Sequence, residues 1–482
     1  MQYCRFGIIV CHGTVRRKRP SVFSMREFVR RLFGRYRIWY YTLRPTYALM
    51  LGYIFYILVT LALLCLPICR KVSNVPAIDS LFTAVSAIST TGLQTVNFAE
   101  TYNTLGQFII LLGIQIGGLG YMTLGSFVIM ASKGYLPKTR LQIGKAVLAM
   151  PESFDPQRFF RHIVVFTLSI ELIGTAMLWI CFLPVGIPHP LWAAFFHSVA
   201  AFCTAGISIF PNNLESFTDN TAICLTIALL SLLGGIGFIV LDDLYRSFKS
   251  KSLRTTLTTR IILVATFGAI IAGIVFLFFD PNIAAFPLKK RMLTAVFQAV
   301  AALTTAGFNT IPISTLTAAT MVIVIILMLL GASPSGTGGG LKTTTWSAAI
   351  AAILSFLRGK EEITFFHSKV PHGRITAAFA SITLYTITFA LGTYCLLLCE
   401  SHPFEYVMFE VVAALGTTGL SCGITPELSV NGKILIMVLM FVGRLGVVSL
   451  ALGAVALYHD ISHDPNESDE FTTVLKEDDI VL

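Results

Sequence analysis

The sequence predicts an all-α polytopic membrane protein built from four pseudo-symmetric repeats. Only 12% of its 482 residues are charged and 55% are hydrophobic, whereas soluble domains carry about 25% charged residues. The apolar residues form runs long enough to cross a bilayer, and shorter runs between them share a common motif. This composition excludes a soluble enzyme and a disordered protein.

Eight long apolar runs predict the spanning helices. They lie at about residues 45–69, 104–131, 160–183, 220–245, 258–279, 316–357, 374–399 and 432–458. A shorter apolar run follows each odd-numbered one and is too short to cross a hydrocarbon core of about 30 Å, because each helical residue adds only about 1.5 Å. We therefore predict four half-helices that enter and leave the membrane on the same side.

Basic residues predict the orientation in the membrane. The net charge is +10, and the loops after the second, fourth and sixth runs contain Lys133, Lys138, Arg140, Lys145, Arg246, Lys249, Lys251, Arg254, Arg358 and Lys360. Cytoplasmic loops collect such residues, so we expect a multi-pass protein of the plasma membrane with both termini in the cytoplasm. This distribution argues against nucleic-acid binding. Residues 1–44 then form a basic cytoplasmic arm, and residues 459–482 form an acidic cytoplasmic tail.

The four short runs share the motif F-x2-V-x-A-x2-T-x-G. Its copies begin at Phe82, Phe196, Phe297 and Phe409 and end at Gly92, Gly206, Gly307 and Gly419. Five identities in one register, inside matching hydropathy blocks, indicate an internal repeat. Packing alone explains phenylalanine, valine and alanine at helical spacing, but it does not explain why Thr-x-Gly closes every copy.

Four such segments around one axis predict a central cation pore. Glycine permits the backbone to turn its carbonyl groups inward, and a ring of carbonyls replaces the hydration shell of a monovalent cation. Each half-helix also directs its partly negative C-terminal end to the centre. The predicted filter residues are Thr90, Thr91, Gly92, Thr204, Ala205, Gly206, Thr305, Ala306, Gly307, Thr417, Thr418 and Gly419.

The second long run of each repeat contains a glycine-rich motif. We align the motifs 117–120, 234–237, 339–342 and 443–446, so that Lys342 and Arg444 replace glycines of other repeats. A charge at membrane depth is costly, and we expect Arg444 to face the pore. The alternative is an ion pair of Arg444 with Glu171 or Glu410.

The sixth long run is interrupted at residues 331–345. Five glycines and a proline in this stretch cannot remain a regular helix. A phosphate-binding loop would need Gly-Lys-Ser/Thr, and here Leu341 intervenes. We predict a movable gate below the filter rather than a static kink. The predicted gate and barrier residues are Gly331, Ser333, Ser335, Gly336, Gly338, Gly339, Gly340, Lys342 and Arg444.

These motifs resemble those of the Trk/Ktr/HKT superfamily of potassium transporters, over about residues 45–458. The eight spans are similar to the KtrB branch. The resemblance implies that the filter glycines accompany potassium preference, that residues 331–345 form the gate and that Arg444 is a pore barrier. It also implies a homodimer in a bacterial inner membrane, on a cytosolic ring of nucleotide-binding regulatory subunits. The position three residues before each filter glycine is not uniform, since it holds Ser89, Cys203, Thr304 and Gly416 in the four copies.

The repeats divide the chain into predicted segments. Between the arm and the tail, the boundaries are 45–131, 132–248, 249–358 with the gate loop, and 359–458. The transported ion is expected to be potassium. A sodium-preferring or sodium-coupled transporter is the second hypothesis, and an intramembrane enzyme is the third. The sequence contains no Gly-x-Gly-x-x-Gly, so we expect no nucleotide site in this chain.

Overall fold

The computed structural model describes residues 45–72, 74–120, 156–249, 255–360, 362–366 and 368–451. The predicted basic arm and acidic tail lie outside these residues, as does the second part of the run 104–131. The described residues are mostly helical, with one small hairpin of β1 (Thr364–Phe365) and β2 (Ser368–Lys369). The all-α fold class that the sequence predicts is confirmed.

We number the helices of ten or more residues along the chain. They are α1 (Pro45–Leu64), α2 (Ala77–Ile88), α3 (Thr104–Leu119), α4 (Pro156–Phe182), α5 (Pro190–Phe202), α6 (Thr221–Ile236), α7 (Phe238–Lys249), α8 (Leu257–Phe278), α9 (Leu288–Leu303), α10 (Ala318–Leu330), α11 (Thr343–Leu357), α12 (His372–Cys399), α13 (Phe404–Leu415) and α14 (Val430–Leu445).

Three described helical segments are long and apolar enough to cross a membrane. They are Arg158–Val185, Leu257–Phe278 and His372–Cys399. A fourth span results if α6 and α7, which meet at an angle of 94°, are counted as one. Other predicted spans appear in the described residues as shorter apolar helices, including α3, α10 and α11.

A glycine with a left-handed backbone ends the described helix at each interruption. Gly120 follows α3, Gly237 follows α6, Gly331 follows α10 and Gly446 follows α14, with φ between +66° and +96°. Glycine adopts these angles without steric cost. The predicted run 220–245, and the described part of the run 432–458, are therefore each broken by a glycine.

The third glycine-rich motif also differs from our alignment. The helix ends show that residues 328–331 correspond to 117–120, 234–237 and 443–446. We had aligned residues 339–342 there, but these belong to the loop between α10 and α11. Lys342 is consequently not the counterpart of Gly120, whereas Arg444 does stand where Gly118 and Gly235 stand. The alignment paired the glycines of the loop with glycines that precede a helix end in the other repeats, because the loop follows the helix end in the third repeat only.

The four half-helices α2, α5, α9 and α13 form the centre of the protein. The repeated phenylalanines are at most 2% exposed, and the repeated alanines are fully buried. Around them, the longer helices expose large apolar side chains such as Phe55, Leu172 and Ile271. An apolar outer surface of this kind is suited to lipid contact.

Small residues let the second helices approach the ends of the half-helices. A Cβ atom on Gly234 of α6 would collide with the carbonyl oxygen of Phe202, and Gly117 and Gly443 are similarly crowded by Ile88 and Leu415. These glycines are needed for the close approach of two backbones.

We expect Gly234→Ala to destabilise the fold by about 1–3 kcal/mol, because the added methyl group meets a backbone carbonyl that cannot move aside. Thermal unfolding of the purified protein in detergent measures the effect. Gly268→Ala is the matched control, since a Cβ on Gly268 of α8 meets no atom within 4 Å. Equal unfolding temperatures for the two variants would contradict the packing argument.

Candidate functional site

The four Thr-x-Gly segments have the same backbone conformation. Thr90, Thr204, Thr305 and Thr417 have φ between +47° and +55°, which is rare for a residue with a side chain. In each copy the threonine N–H donates to the carbonyl of the repeated alanine, at 3.0–3.2 Å. The half-helix thus ends in the same tight turn four times, and all four threonines are fully buried.

The four glycines of the motif lie in a closed ring. A Cβ atom on Gly92 would collide with the carbonyl oxygen of Ala205, in the second copy. One on Gly206 would lie 2.8 Å from that of Ala306 in the third copy. Likewise, a Cβ atom on Gly307 would collide with the carbonyl oxygen of Thr418 in the fourth copy, and one on Gly419 with that of Thr91 in the first copy. Each copy therefore meets the next, and the fourth meets the first, as the fourfold motif leads one to expect.

The loop between α10 and α11, residues 331–342, lies against the threonines of the Thr-x-Gly segments. It is the non-helical part of the predicted gate 331–345, and we refer to it as the gate loop. The Thr337 hydroxyl is 3.2 Å from that of Thr204, and the Gly339 N–H donates to the Thr305 hydroxyl at 3.0 Å. Gly339 also has no room for a Cβ atom because of Thr417. The loop thus contacts three of the four threonines.

Backbone hydrogen bonds hold the gate loop to α6 and to itself. The N–H groups of Ser333 and Thr337 donate to the carbonyls of Gly235 (2.9 Å) and Gly234 (3.1 Å). Ala332 donates to Gly339 at 3.0 Å, which brings the two ends of the loop together. These contacts satisfy backbone groups that have no helical partner at this depth.

Arg444 bridges the gate loop and the end of α3. Its guanidinium group donates to the carbonyl oxygens of Thr337 and Gly117, and to that of Gly118 at 3.3 Å. Among the described residues, neither predicted carboxylate pairs with it: Glu171 accepts from Gln115, and Glu410 from Ser421, Cys422 and Thr425. A cation at the C-terminal end of α3 also meets the negative end of the helix dipole.

A cavity of about 400 Å³ lies on the other side of the gate loop. Lys342, Arg444, Tyr385 and residues 334–336, 338, 340 and 341 line part of it. The Lys342 ammonium donates to the carbonyl of Gly338 at 2.8 Å. The loop therefore separates the ring of glycines from a partly polar space that contains two basic side chains.

Our sequence argument missed Asn213, which lies in the loop after the second filter segment. Its amide nitrogen is 3.3 Å from the carbonyl oxygen of Gly307 and 3.5 Å from that of Gly206. Asn213 has φ of +52°, and its Oδ1 is buried without a partner in the described part of the chain. The motif carries no signal for it, since it lies seven residues beyond the glycine.

Two further residues behind the ring share one position of the repeat. His197 and Glu410 directly follow the repeated phenylalanines and are fully buried. The His197 Nε2 atom is 2.9 Å from the Ser208 hydroxyl, and the Glu410 carboxylate accepts from Ser421. Each serine stands two residues after a filter glycine. This position of the motif is polar in all four copies, as Thr83, His197, Gln298 and Glu410.

A family model described as TrkH, cation transport protein, matches residues 46–462. The chain belongs to this family of cation transport proteins. The assignment excludes our third hypothesis, an intramembrane enzyme, and it confirms the resemblance on which the sequence analysis drew.

Several curated relatives match over most of their length. The Ktr system potassium uptake protein B of Bacillus subtilis is 35% identical over 408 residues, which cover 83% of this chain and 91% of that protein. Its namesake in Vibrio alginolyticus is 33% identical over 409 residues, covering 84% and 90%. The potassium/sodium uptake protein NtpJ of Enterococcus hirae is 31% identical over 421 residues, covering 85% and 92%.

The crystal structure of the potassium transporter TrkH from Vibrio parahaemolyticus has the same fold. The TM-score is 0.65 at 18% sequence identity, and the match covers 83% of this chain and 84% of that one. At this identity the likeness concerns the fold alone.

We expect Asn213→Gly to lower the discrimination between monovalent cations by about two- to tenfold. Glycine keeps the left-handed backbone but removes a hydrogen-bond donor, which contributes about 0.5–1.5 kcal/mol. Tracer rubidium uptake into proteoliposomes with sodium as competitor measures it. Asn212→Gly is the control, because that neighbouring residue is exposed. If the two variants discriminate equally, Asn213 does not hold the ring.

Proposed function

We propose that this chain forms a pore for potassium uptake across the plasma membrane, with the four Thr-x-Gly segments as its filter. The observation that carries the proposal is the closed ring in which each filter glycine adjoins the next copy. A ring of backbone carbonyls can replace the hydration shell of a monovalent cation. The four half-helices end at this ring with the partly negative ends of their dipoles, which favours a cation over an anion.

The names of the relatives favour potassium as the transported ion. Two of them are potassium uptake proteins of the Ktr system, each at least 33% identical to this chain. Each of the four segments also ends in glycine, at Gly92, Gly206, Gly307 and Gly419. Potassium is then the cargo of the pore.

The gate loop closes the path below the filter in this proposal. It occupies the space beneath three of the four filter threonines, with hydrogen bonds to Thr305 and Thr204. A passing ion needs that space, so the loop must leave it for conduction. Its glycines at 331 and 340, which have left-handed backbones, are the points about which the loop can turn.

Arg444 adds an electrostatic barrier to this closed path. A unit charge about 10 Å from a permeating ion, at an effective dielectric constant near 20, costs roughly 1.7 kcal/mol. Such a barrier slows conduction more than about tenfold without blocking it. The same side chain ties Thr337 of the gate loop to Gly117, so its loss removes both the charge and the tie.

The assembly and orientation follow from the sequence argument and the family. We propose a homodimer on a cytosolic ring of nucleotide-binding regulatory subunits, with both termini in the cytoplasm of a bacterium. The repeat boundaries 45–131, 132–248, 249–358 and 359–458 belong to the same proposal. The chain itself supplies the pore, and nucleotide control comes from the regulatory partner.

A sodium-preferring or sodium-coupled transporter is the second candidate. The relative from Enterococcus hirae is named a potassium/sodium uptake protein, and Cys203 precedes the second filter segment. Rubidium uptake into proteoliposomes containing the chain alone separates the candidates. Competition by potassium and not by sodium supports the first, whereas equal competition by sodium supports the second.

We expect Gly307→Asp to abolish rubidium uptake, because a side chain at this position collides with the carbonyl oxygen of Thr418 and adds a charge to the ring. Gly186→Asp is the control. It also replaces a left-handed glycine, but a Cβ atom there meets nothing within 4 Å. Equal rubidium uptake by the Gly307→Asp variant and the Gly186→Asp control would contradict the filter assignment.

We expect Arg444→Gln to raise rubidium uptake by about tenfold, since both the charge and the tie to the gate loop are lost. Arg444→Lys keeps the charge but cannot reproduce the fork of the guanidinium group. Uptake by the lysine variant should therefore fall between those of the wild type and the glutamine variant. Equal uptake by all three proteins would show that Arg444 neither repels the ion nor holds the loop.

A further inference from the structure

Helix α7 runs almost perpendicular to the helix that precedes it. The two helices meet at 94°, at the left-handed Gly237. A chain that descends through the membrane in α6 is therefore turned into the plane of the membrane in α7. The turn is held by the gate loop, because residues 334–336 fill the space beside Gly237.

Contacts with α4 indicate the depth of α7. The Asp242 carboxylate is 2.6 Å from the Nδ1 atom of His162, which lies near the start of α4. Twenty residues separate His162 from Phe182 at the end of α4, and they span about 30 Å at about 1.5 Å per residue. This equals the thickness of a hydrocarbon core, so α7 lies at the membrane boundary opposite the end of α4.

The two faces of α7 differ in chemistry. Its inner face carries Asp242 and Asp243, both buried. Asp242 is bound to His162 and, at 2.7 Å, to Arg246, while Asp243 accepts two hydrogen bonds from Thr256. This face is thus anchored to α4 and to the start of α8.

The exposed part of α7 carries large apolar side chains and ends in a basic residue. Leu244 and Tyr245 are exposed, and Phe248 is 87% exposed. Lys249, the last residue of the helix, is exposed and directly follows Phe248, whereas Arg246 is paired with Asp242. Exposed aromatic and aliphatic residues beside basic ones are typical of helices that lie in the interface of a membrane. Basic residues at that level attract anionic headgroups.

The N-terminus of α7 is capped by the gate loop. The Ser335 carbonyl accepts from the Phe238 N–H at 3.3 Å, and its hydroxyl accepts from the Ile239 N–H at 3.2 Å. These N–H groups have no partner inside their own helix. The position of α7 and that of the gate loop are therefore linked through one residue.

We propose that α7 is a surface helix that binds anionic phospholipid headgroups at the inner face of the membrane and so holds the gate loop in its closed position. The inference rests on the proposed function for the gate. Headgroups hold Lys249 at the surface, the inserted Phe248 fixes the helix in the plane of the membrane, and Ser335 stays bound to the N-terminus of α7. Anionic lipid then slows potassium uptake.

The test is rubidium uptake into proteoliposomes that contain the chain alone, in phosphatidylcholine with increasing fractions of phosphatidylglycerol. We expect wild-type uptake to fall by about fivefold, the factor that about 1 kcal/mol for one basic residue at an anionic surface corresponds to. In the double variant Phe248→Ser, Lys249→Gln the uptake should no longer depend on the lipid. Ser335→Gly should weaken the dependence, because glycine keeps the left-handed backbone and the carbonyl that accepts from Phe238 but lacks the hydroxyl that accepts from Ile239.

The matched control is the double variant Leu288→Ser, Lys289→Gln. It removes an apolar side chain that is 70% exposed and an adjacent exposed lysine, from a helix remote in sequence from α7 and the gate loop. It should keep the full lipid dependence. A loss of the dependence in this control would show that charge and apolar surface act generally rather than through α7.

Other outcomes overturn the inference. These are unchanged lipid dependence in the α7 variants, or wild-type uptake that rises with phosphatidylglycerol. Wild-type uptake that ignores the lipid composition also overturns the inference, whatever the α7 variants do. The Gly307→Asp protein keeps the two proposals apart. If the Gly307→Asp protein takes up rubidium, the pore proposal fails. If it takes up none, and the α7 variants keep the lipid dependence of the wild type, only the lipid inference fails.

Discussion

The structure depends on one constraint, which is that backbone N–H and C=O groups at membrane depth must find partners within the protein. Four helices end in the centre of the described fold, each on a left-handed threonine. A single such end would leave its polar groups in lipid. Around a common axis, the ends instead lie against one another, as Gly92 does against Ala205 and Gly419 against Thr91. The contact of the four ends with one another is therefore a condition of stability.

The same constraint explains how a loop can occupy the middle of the membrane. The gate loop interrupts a helix and would lose its hydrogen bonds in lipid, but its N–H groups reach the carbonyls of Gly234 and Gly235. The Arg444 guanidinium group donates a hydrogen bond to the carbonyl oxygen of Thr337. Every one of these partners is a broken helix end or the loop itself. The gating that we propose requires the loop to give up these hydrogen bonds.

The sequence argument succeeded where a residue type and its spacing have one physical explanation. Thr-x-Gly after a short apolar run predicts an interrupted helix, and each of the four half-helices does end there. The alignment of the repeats was wrong where the same residue type occurs at structurally different positions. The glycines at 339 and 340 look like those at 117 and 118, yet the helix end corresponds to Gly331. An insertion in one repeat cannot be located from composition, because glycine is favoured both in the loop and at the helix end.

The sequence by itself determined the all-α membrane fold, the four motifs and the interruption of the sixth run. These features are local, since hydropathy, helix length and the conformational freedom of glycine act within a few residues of the chain. Only the tertiary structure decided which partners those residues meet. Asn213 reaches Gly307 from 94 positions away, Arg444 reaches Gly117 from 327, and Ser335 caps α7 from 96. The sequence around each of these residues does not indicate its partner, because a hydrogen bond depends on the positions of the two groups in space.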